Sequence, residues 1–237
     1  MKICLVYSQR LGDIIRILPI ARHLSAQGHE VYIECLPQYV GVFGSVSYVR
    51  PSLRELRESE GFGRVIDLEI WPHRYDEFRR SGKSWEDFVF GICPEFSNIH
   101  RKPHFDLIDE NDGLESYGLS REVCIFSPFG YSQARHYRFS DLLSECRRLA
   151  SKPIVTLADP AQAKHLIEIG FPKNEILRAR SQADLPRLLR DAAEVFTINS
   201  APCIIAGAVR PWFWHVLSGC AQDDHYSAAS RVVTLGT

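Results

Sequence analysis

Short, continuously apolar segments of strand length alternate with helical stretches along most of this chain, and that order leaves few architectures open. Lys2 to Tyr7 is the first such strand. Ile14 to Ala26 then carries apolar residues near helical spacing at Ile14, Ile17, Leu18, Ala21 and Leu24, Gly28 ends that helix, and Glu30 to Cys35 is a second strand. Strand, helix and strand within about 35 residues make a βαβ unit, which implies a parallel sheet covered by helices. A helix starting over Tyr39 to Phe43, a strand at Ser47 to Val49, a helical stretch at Leu53 to Glu58 and a strand at Arg64 to Leu68 continue the series. Between Phe78 and Ser120 the pattern breaks, and DLIDENDGLESYGLS gathers acids, Gly and Ser as a linker does.

The alternation resumes with strands at Val123 to Ser127, Ile154 to Ala158, Ile176 to Arg178 and Val195 to Ile198. Helices lie between them at Ser140 to Ala150, Pro160 to Ile169 and Asp184 to Ala193, and Ala201 onward is a buried helix or apolar turn. The expectation is therefore two α/β domains, residues 1–120 and 121–237, each near the lower end of ordinary domain size. With 45% hydrophobic and 24% charged residues in 237, there is ample material for two cores.

The formal charge is -1, so no overall positive field holds nucleic acid. Residues 1–120 carry 14 Lys/Arg against 18 Asp/Glu and residues 121–237 carry 14 against 11, which makes the second half the better host for an anion. Seven scattered cysteines without C-x-x-C read as neither a zinc ribbon nor a thioredoxin motif and suit a reducing compartment. The apolar run at the N-terminus meets Ser8 too early for a signal-peptide core, and no segment reaches the ~20 apolar residues of a spanning helix. The expected location is cytoplasmic, with any membrane contact peripheral.

Three segments sit where an open parallel sheet binds ligands, outside the carboxyl ends of strands where loops meet helix N-termini. In Ser8-Gln9-Arg10-Leu11-Gly12-Asp13, Gly12 would allow close approach to the backbone, and Asp13 would offer a carboxylate able to take a proton from a hydroxyl. The same residues also read as a helix start with a first-turn acid. No G-x-G-x-x-G and no P-loop Lys follow, which argues against an NAD-dependent dehydrogenase or an NTPase. The second segment, Ser127 to Tyr137, supplies Gly130, Ser132 and Arg135, a set suited to a diphosphate or to an ordinary surface loop. The third, Asn199-Ser200-Ala201-Pro202-Cys203, is a helix start whose backbone N–H groups and dipole suit an anion. The aromatic run Pro211 to His215 reads as core packing or as a stacking surface, and Asp223-Asp224-His225 as tail.

Taken together, LGDIIRILPIARHL with Gly12, Asp13 and Pro19, SPFGYSQARHYRFSDLL, IVTLADPAQAKHL and DLPRLLRDAAEVFTINSAPCIIAGAV resemble the heptosyltransferase-like glycosyltransferases of family 9. The match is specific at Gly12-Asp13 and at the Asn-Ser-Ala-Pro stretch. Asn199 stands where that family has Asp, Ala201 where it has Gly, Cys203 or Ile204 where it has His, and Arg135-His136-Tyr137 where it has Arg-Trp-Pro. The resemblance implies a GT-B fold, two Rossmann-like domains with parallel sheets facing a central cleft. It implies an inverting, metal-independent transfer of a sugar from a nucleotide diphosphate sugar to an acceptor hydroxyl, with no cofactor beyond the donor. Asp13 would be the general base, with Arg10 and Gly12 on the acceptor-side loop. Gly130, Ser132, Arg135, Asn199, Ser200 and Ala201 would bind the donor on the C-terminal domain. The acceptor is left open among glycan, protein, small molecule and modified nucleic-acid base. The departures at 199–204 support an alternative, a catalytically silent protein of the same fold that binds a nucleotide or a partner.

Overall fold

A computed structural model describes residues 1–56, 61–107, 113–130, 138–210, 214–218 and 230–234. The chain divides into two compact units, Met1–Asp106 and Leu107–Thr237.

In the first unit, β1 (Lys2–Val6), β2 (Glu30–Glu34), β3 (Arg50–Ser52) and β4 (Arg64–Asp67) form one parallel sheet in the order β3-β2-β1-β4. Ile3, Cys4 and Leu5 of β1 are buried on both faces of the sheet, which is why the strand reads as an unbroken apolar run. Helix α1 (Leu11–Ala26) buries Ile14, Ile15, Ile17, Leu18, Pro19, Ile20, Ala21 and Leu24, so it is apolar almost all round and belongs to the core. Gly28 follows at φ 83°, a left-handed turn that only glycine makes without strain, and leads into β2.

The stretch read as a helix at Tyr39 to Phe43 is a 3-10 helix over Pro37–Ser45, and β3 falls three residues later than Ser47 to Val49. At Leu53 to Glu58 there is a 3-10 turn, Arg54–Leu56, before the described residues break off. The irregular region from Phe78 on holds two short helices, α2 (Tyr75–Ser81) and α3 (Trp85–Phe90). Neither completes two turns, so periodicity over a window of 11–18 residues cannot report them. Ser84 caps α3, its Oγ accepting from Asp87 N–H at 3.0 Å.

In the second unit, β5 (Cys124–Ser127), β6 (Ile154–Leu157), β7 (Ile176–Leu177), β8 (Glu194–Thr197), β9 (Trp214–Ser218) and β10 (Ser230–Thr234) form a parallel sheet in the order β10-β9-β8-β5-β6-β7. Counted from β5, this is the 3-2-1-4-5-6 order of the dinucleotide-binding doubly wound sheet. The helices are α4 (Phe139–Leu149), α5 (Pro160–Glu168), α6 (Leu185–Asp191) and α7 (Ala201–Val209). Cys124 and Phe126 of β5, Leu142, Leu143 and Cys146 of α4, Phe196 and Ile198 from β8 onward, and Leu217 of β9 share one buried cluster. His215 is buried on β9 with its ring stacked on Phe196 at 4.2 Å, so that end of the aromatic run is core packing; residues 211–213 lie outside the described set, as do Asp223-Asp224-His225.

The residues from Leu107 to Ser120, read from sequence as the end of the first domain, belong to the second unit. Their attachments explain it. Tyr117 Oη donates to Asp184 Oδ2 at 2.6 Å and accepts from Arg180 N–H at 2.9 Å. Arg180 lies over the Tyr117 ring at 4.5 Å, and Gly113 packs against Asp191 so closely that any side chain there would collide with its carboxylate. Arg210, 1% exposed, spans from the end of α7 to the end of α6, donating to the carbonyls of Leu189 (2.9 Å), Ala192 (2.7 Å) and Ala193 (3.0 Å). A buried cation is tolerable there because those carbonyls lack helical partners and carry the negative end of the α6 dipole. Among the described residues six cysteines are free, and no helix is long and apolar enough to cross a membrane.

Candidate active site

Each sheet has one place where the chain's direction of winding reverses, and ligands of open α/β sheets bind outside the strand ends there. In the first unit it lies between β1 and β4. Tyr7 to Arg10 leave the end of β1, and Leu68 to Trp71 leave the end of β4. The two exits are tied together: Ser8 donates both its backbone N–H, at 2.8 Å, and its hydroxyl to Glu69 Oε1, and Gln9 Nε2 donates to the Trp71 carbonyl at 3.4 Å. Glu69 is itself set by Asp67, which accepts its N–H at 2.9 Å, and by Arg74, whose Nη1 donates to its carbonyl at 2.9 Å. A shallow depression, open to solvent, is lined by Tyr7, Gln9, Arg10, Asp13, Glu69 and Trp71.

Asp13 sits in the first turn of α1, and its partners decide between the two roles a first-turn acid can have. Tyr7 Oη donates to Oδ2 at 3.3 Å and Arg16 Nη1 lies 3.8 Å from Oδ1, so the carboxylate engages side chains around the depression and not the helix end as a cap would. Burial raises the Asp13 pKa above its ordinary value; the charges of Arg16 and Arg10 and the Tyr7 hydrogen bond pull it down, and Glu86 pushes it up. Burial, with the Asp13 charge, raises the Tyr7 pKa far enough that the phenol is a fixed donor at neutral pH.

Arg10 is the N-cap residue of α1, extended at φ -141°, with its guanidinium 5.9 Å from the Trp71 ring centre. Trp71 stacks on Tyr75 at 3.7 Å and is 37% exposed, an indole presented at the rim of the depression. Gly12 lies inside α1, one residue past its start and with no positive φ, and not in the loop before the helix as its sequence position suggests. Sequence reasoning missed Tyr7, Glu69, Trp71, Arg16 and Glu86. Applying the strand-end rule to β4 as well as to β1 finds Glu69 and Trp71, whereas Tyr7 and Glu86 carry no local signal.

In the second unit the reversal lies between β5 and β8. There Gly130, Asn199 and Ser200 come together: a Cβ on Gly130 would stand 3.2 Å from Ile198 Cδ1, 3.2 Å from Ser200 Cβ and 3.6 Å from the Asn199 carbonyl. Ser200 is the N-cap of α7, with its hydroxyl turned to the Ile198 carbonyl at 3.1 Å. Pro202 has no N–H, and those of Cys203 and Ile204 go to the Ser200 carbonyl at 3.0 and 3.3 Å, which leaves Ala201 as the donor of the first turn. Ser132 and Arg135 lie outside the described residues.

No family model matches the sequence, and no curated protein matches it. Solved structures do match. A family 9 glycosyl transferase from Veillonella parvula aligns over 100% of this chain and 86% of its own at TM-score 0.68 and 12% identity. The Escherichia coli heptosyltransferase WaaC, solved with ADP-2-deoxy-2-fluoro heptose, aligns over 98% of this chain and 93% of its own at TM-score 0.63 and 12% identity. The E. coli ADP-heptose heptosyltransferase II aligns over 98% and 90% at TM-score 0.65 and 14% identity. The chain has the fold of the family 9 glycosyltransferases. The GT-B pair of Rossmann-like units implied by Gly12-Asp13 and the Asn-Ser-Ala-Pro stretch is thus present, each unit with an all-parallel sheet. Another protein of this fold, E. coli TibC, is described as iron-containing; among the described residues here no three His, Cys, Asp or Glu side chains gather as metal ligands.

Proposed function

We infer that this chain is a glycosyltransferase that moves a sugar from a nucleoside diphosphate sugar to an acceptor hydroxyl with inversion and without a metal or other cofactor, Asp13 being the general base. The observation that carries this reading is the carboxylate of Asp13, held by Tyr7 and Arg16 at the lip of a strand-end depression in a chain with a glycosyltransferase fold. In the step, the acceptor oxygen bonds to the anomeric carbon as the bond from that carbon to the diphosphate oxygen breaks. The electron pair leaves with the diphosphate, and the hydroxyl proton passes to Asp13. Such a base contributes roughly 10²–10⁴ in rate.

Glu69 and Arg10 would take acceptor hydroxyls by hydrogen bond, and the exposed Trp71 ring offers a face to a sugar's C–H groups. On the second unit, the developing charge of the diphosphate would meet the Ala201 N–H at the start of α7, with Ser132 and Arg135 assigned by family resemblance. Gly130, Asn199 and Ser200, packed together beside that helix start, would line the donor side. The solved relatives bound to ADP-heptose compounds favour an ADP-sugar donor of that kind.

A second reading, nucleotide binding without transfer, is favoured by the few free N–H donors left at the start of α7 to stabilise a leaving diphosphate, where Pro202 has none and those of Cys203 and Ile204 are taken. The test is ADP release from ADP-heptose by the wild type and by Asp13→Asn. Transfer predicts release by the wild type and its loss in the variant with ADP affinity retained; binding alone predicts ADP affinity with release from neither.

A further inference from the structure

We propose that Arg16 and Glu86 form an opposed pair of positioning residues that sets the protonation state of Asp13, Arg16 holding the carboxylate ionised and Glu86 restraining that pull. This rests on Asp13 being the base of the proposed transfer.

Asp13 and Arg16 are three apart on α1 and so share a face of it. The Arg16 guanidinium lies between two carboxylates, with Nε 3.3 Å from Glu86 Oε1 and Nη1 3.8 Å from Asp13 Oδ1. It also lies over the Trp85 ring at 5.2 Å, and that ring packs against Tyr7 at 5.7 Å. Tyr7 closes the circuit through its hydrogen bond to Asp13. Arg16, Asp13 and Glu86 side chains are 11%, 14% and 23% exposed, so water screens these charges weakly and each acts on the others at several ångströms.

The groups facing Asp13 are Tyr7 from the end of β1, Arg10 from the start of α1, Arg16 one turn on and Glu86 from α3, with Glu69 from the end of β4 in the same depression. Tyr7 stays protonated, Glu69 accepts from Ser8, and Arg10 lies over the Trp71 ring and adds to the pull of Arg16; Arg16 and Glu86 are the opposite charges in direct contact with each other. A general base in a partly dry site needs this kind of counter-charge. Without it, desolvation would raise the carboxyl's pKa further; with an unshared cation its basicity would fall.

If Arg16 and Glu86 only pinned α1 to α3, their variants would lose stability and leave the titration of Asp13 where it is. The experiment therefore reads pH dependence in the full chain: ADP release from ADP-heptose, with a ¹³C-carboxyl NMR titration of Asp13 in parallel. Arg16→Met is expected to move the acid limb of kcat/KM and the Asp13 titration to higher pH by about one unit, the low end of the effect of a nearby opposite charge. Arg16→Lys should give a smaller shift in the same direction, and Glu86→Gln, which still accepts a hydrogen bond, a shift to lower pH. Shifts of opposite sign support the proposal. Folded Arg16→Lys and Glu86→Gln proteins whose Asp13 titrates as in the wild type would overturn it, whether or not Arg16→Met folds. Opposed NMR shifts in a protein that releases no ADP would uphold the coupling and overturn the transferase reading, so the two failures separate.

Discussion

Asp13 is held in a state that costs stability. Its folded pKa is raised by burial, so the native chain binds a proton more tightly than the unfolded one, and stability falls as pH climbs from the ordinary carboxylate value through the raised one. Each unit of that elevation amounts to about 1.4 kcal/mol above the window. Asp13→Asn removes the charge and keeps the shape. It is expected to raise Tm at pH 7 and to show no such gain at pH 3; thermal melts at the two pH values check this. Gly130 is constrained in a different way, by space. With a Cβ 3.2 Å from both Ile198 and Ser200, Gly130→Ala is expected to cost about 1 kcal/mol through overpacking and to push the start of α7 outward, readable as a lowered denaturation midpoint and weaker ADP binding. Asp13 and Gly130 were both legible in the sequence, because each follows a recognisable strand. What was not legible was their company. Tyr7 follows directly on the apolar run of β1 and reads as part of it, and Glu86 belongs to a six-residue helix whose approach to Arg16 depends on tertiary packing alone.

At the scale of elements, the strands announced themselves better than the helices. β1, β2, β5, β6 and β8 are buried over all of their residues or all but the first and so read as near-continuous apolar runs, whereas α2 and α3 are too short for a periodic stripe. β9 and β10 went unread because the first lies in a run whose aromatics fit a helix packing surface equally well, and the second sits at the sheet edge. The element that most depends on a single side chain is α6. Its last carbonyls are satisfied by Arg210, so Arg210→Met, which fits the same space without donors, leaves the carbonyls of Leu189, Ala192 and Ala193 buried and unpaired. At 1–3 kcal/mol for each unsatisfied group, partly relieved by relaxation, a loss of about 3 kcal/mol is expected in urea unfolding. A loss within 0.5 kcal/mol would show that the guanidinium is not holding the helix end.

At the scale of the whole chain, near-zero net charge conceals an acidic first half and a mildly basic second. The strand orders give that asymmetry a use: a reversal between β1 and β4 surrounded by Asp13 and Glu69, and one between β5 and β8 where Gly130 meets the start of α7. The direct measurement is ADP release from ADP-heptose by wild type and Asp13→Asn, with ADP affinity measured calorimetrically on both. A fall of about 10²-fold or more in release, at unchanged affinity, is expected of a general base. Equal release by the two proteins would contradict the assignment of Asp13 as that base.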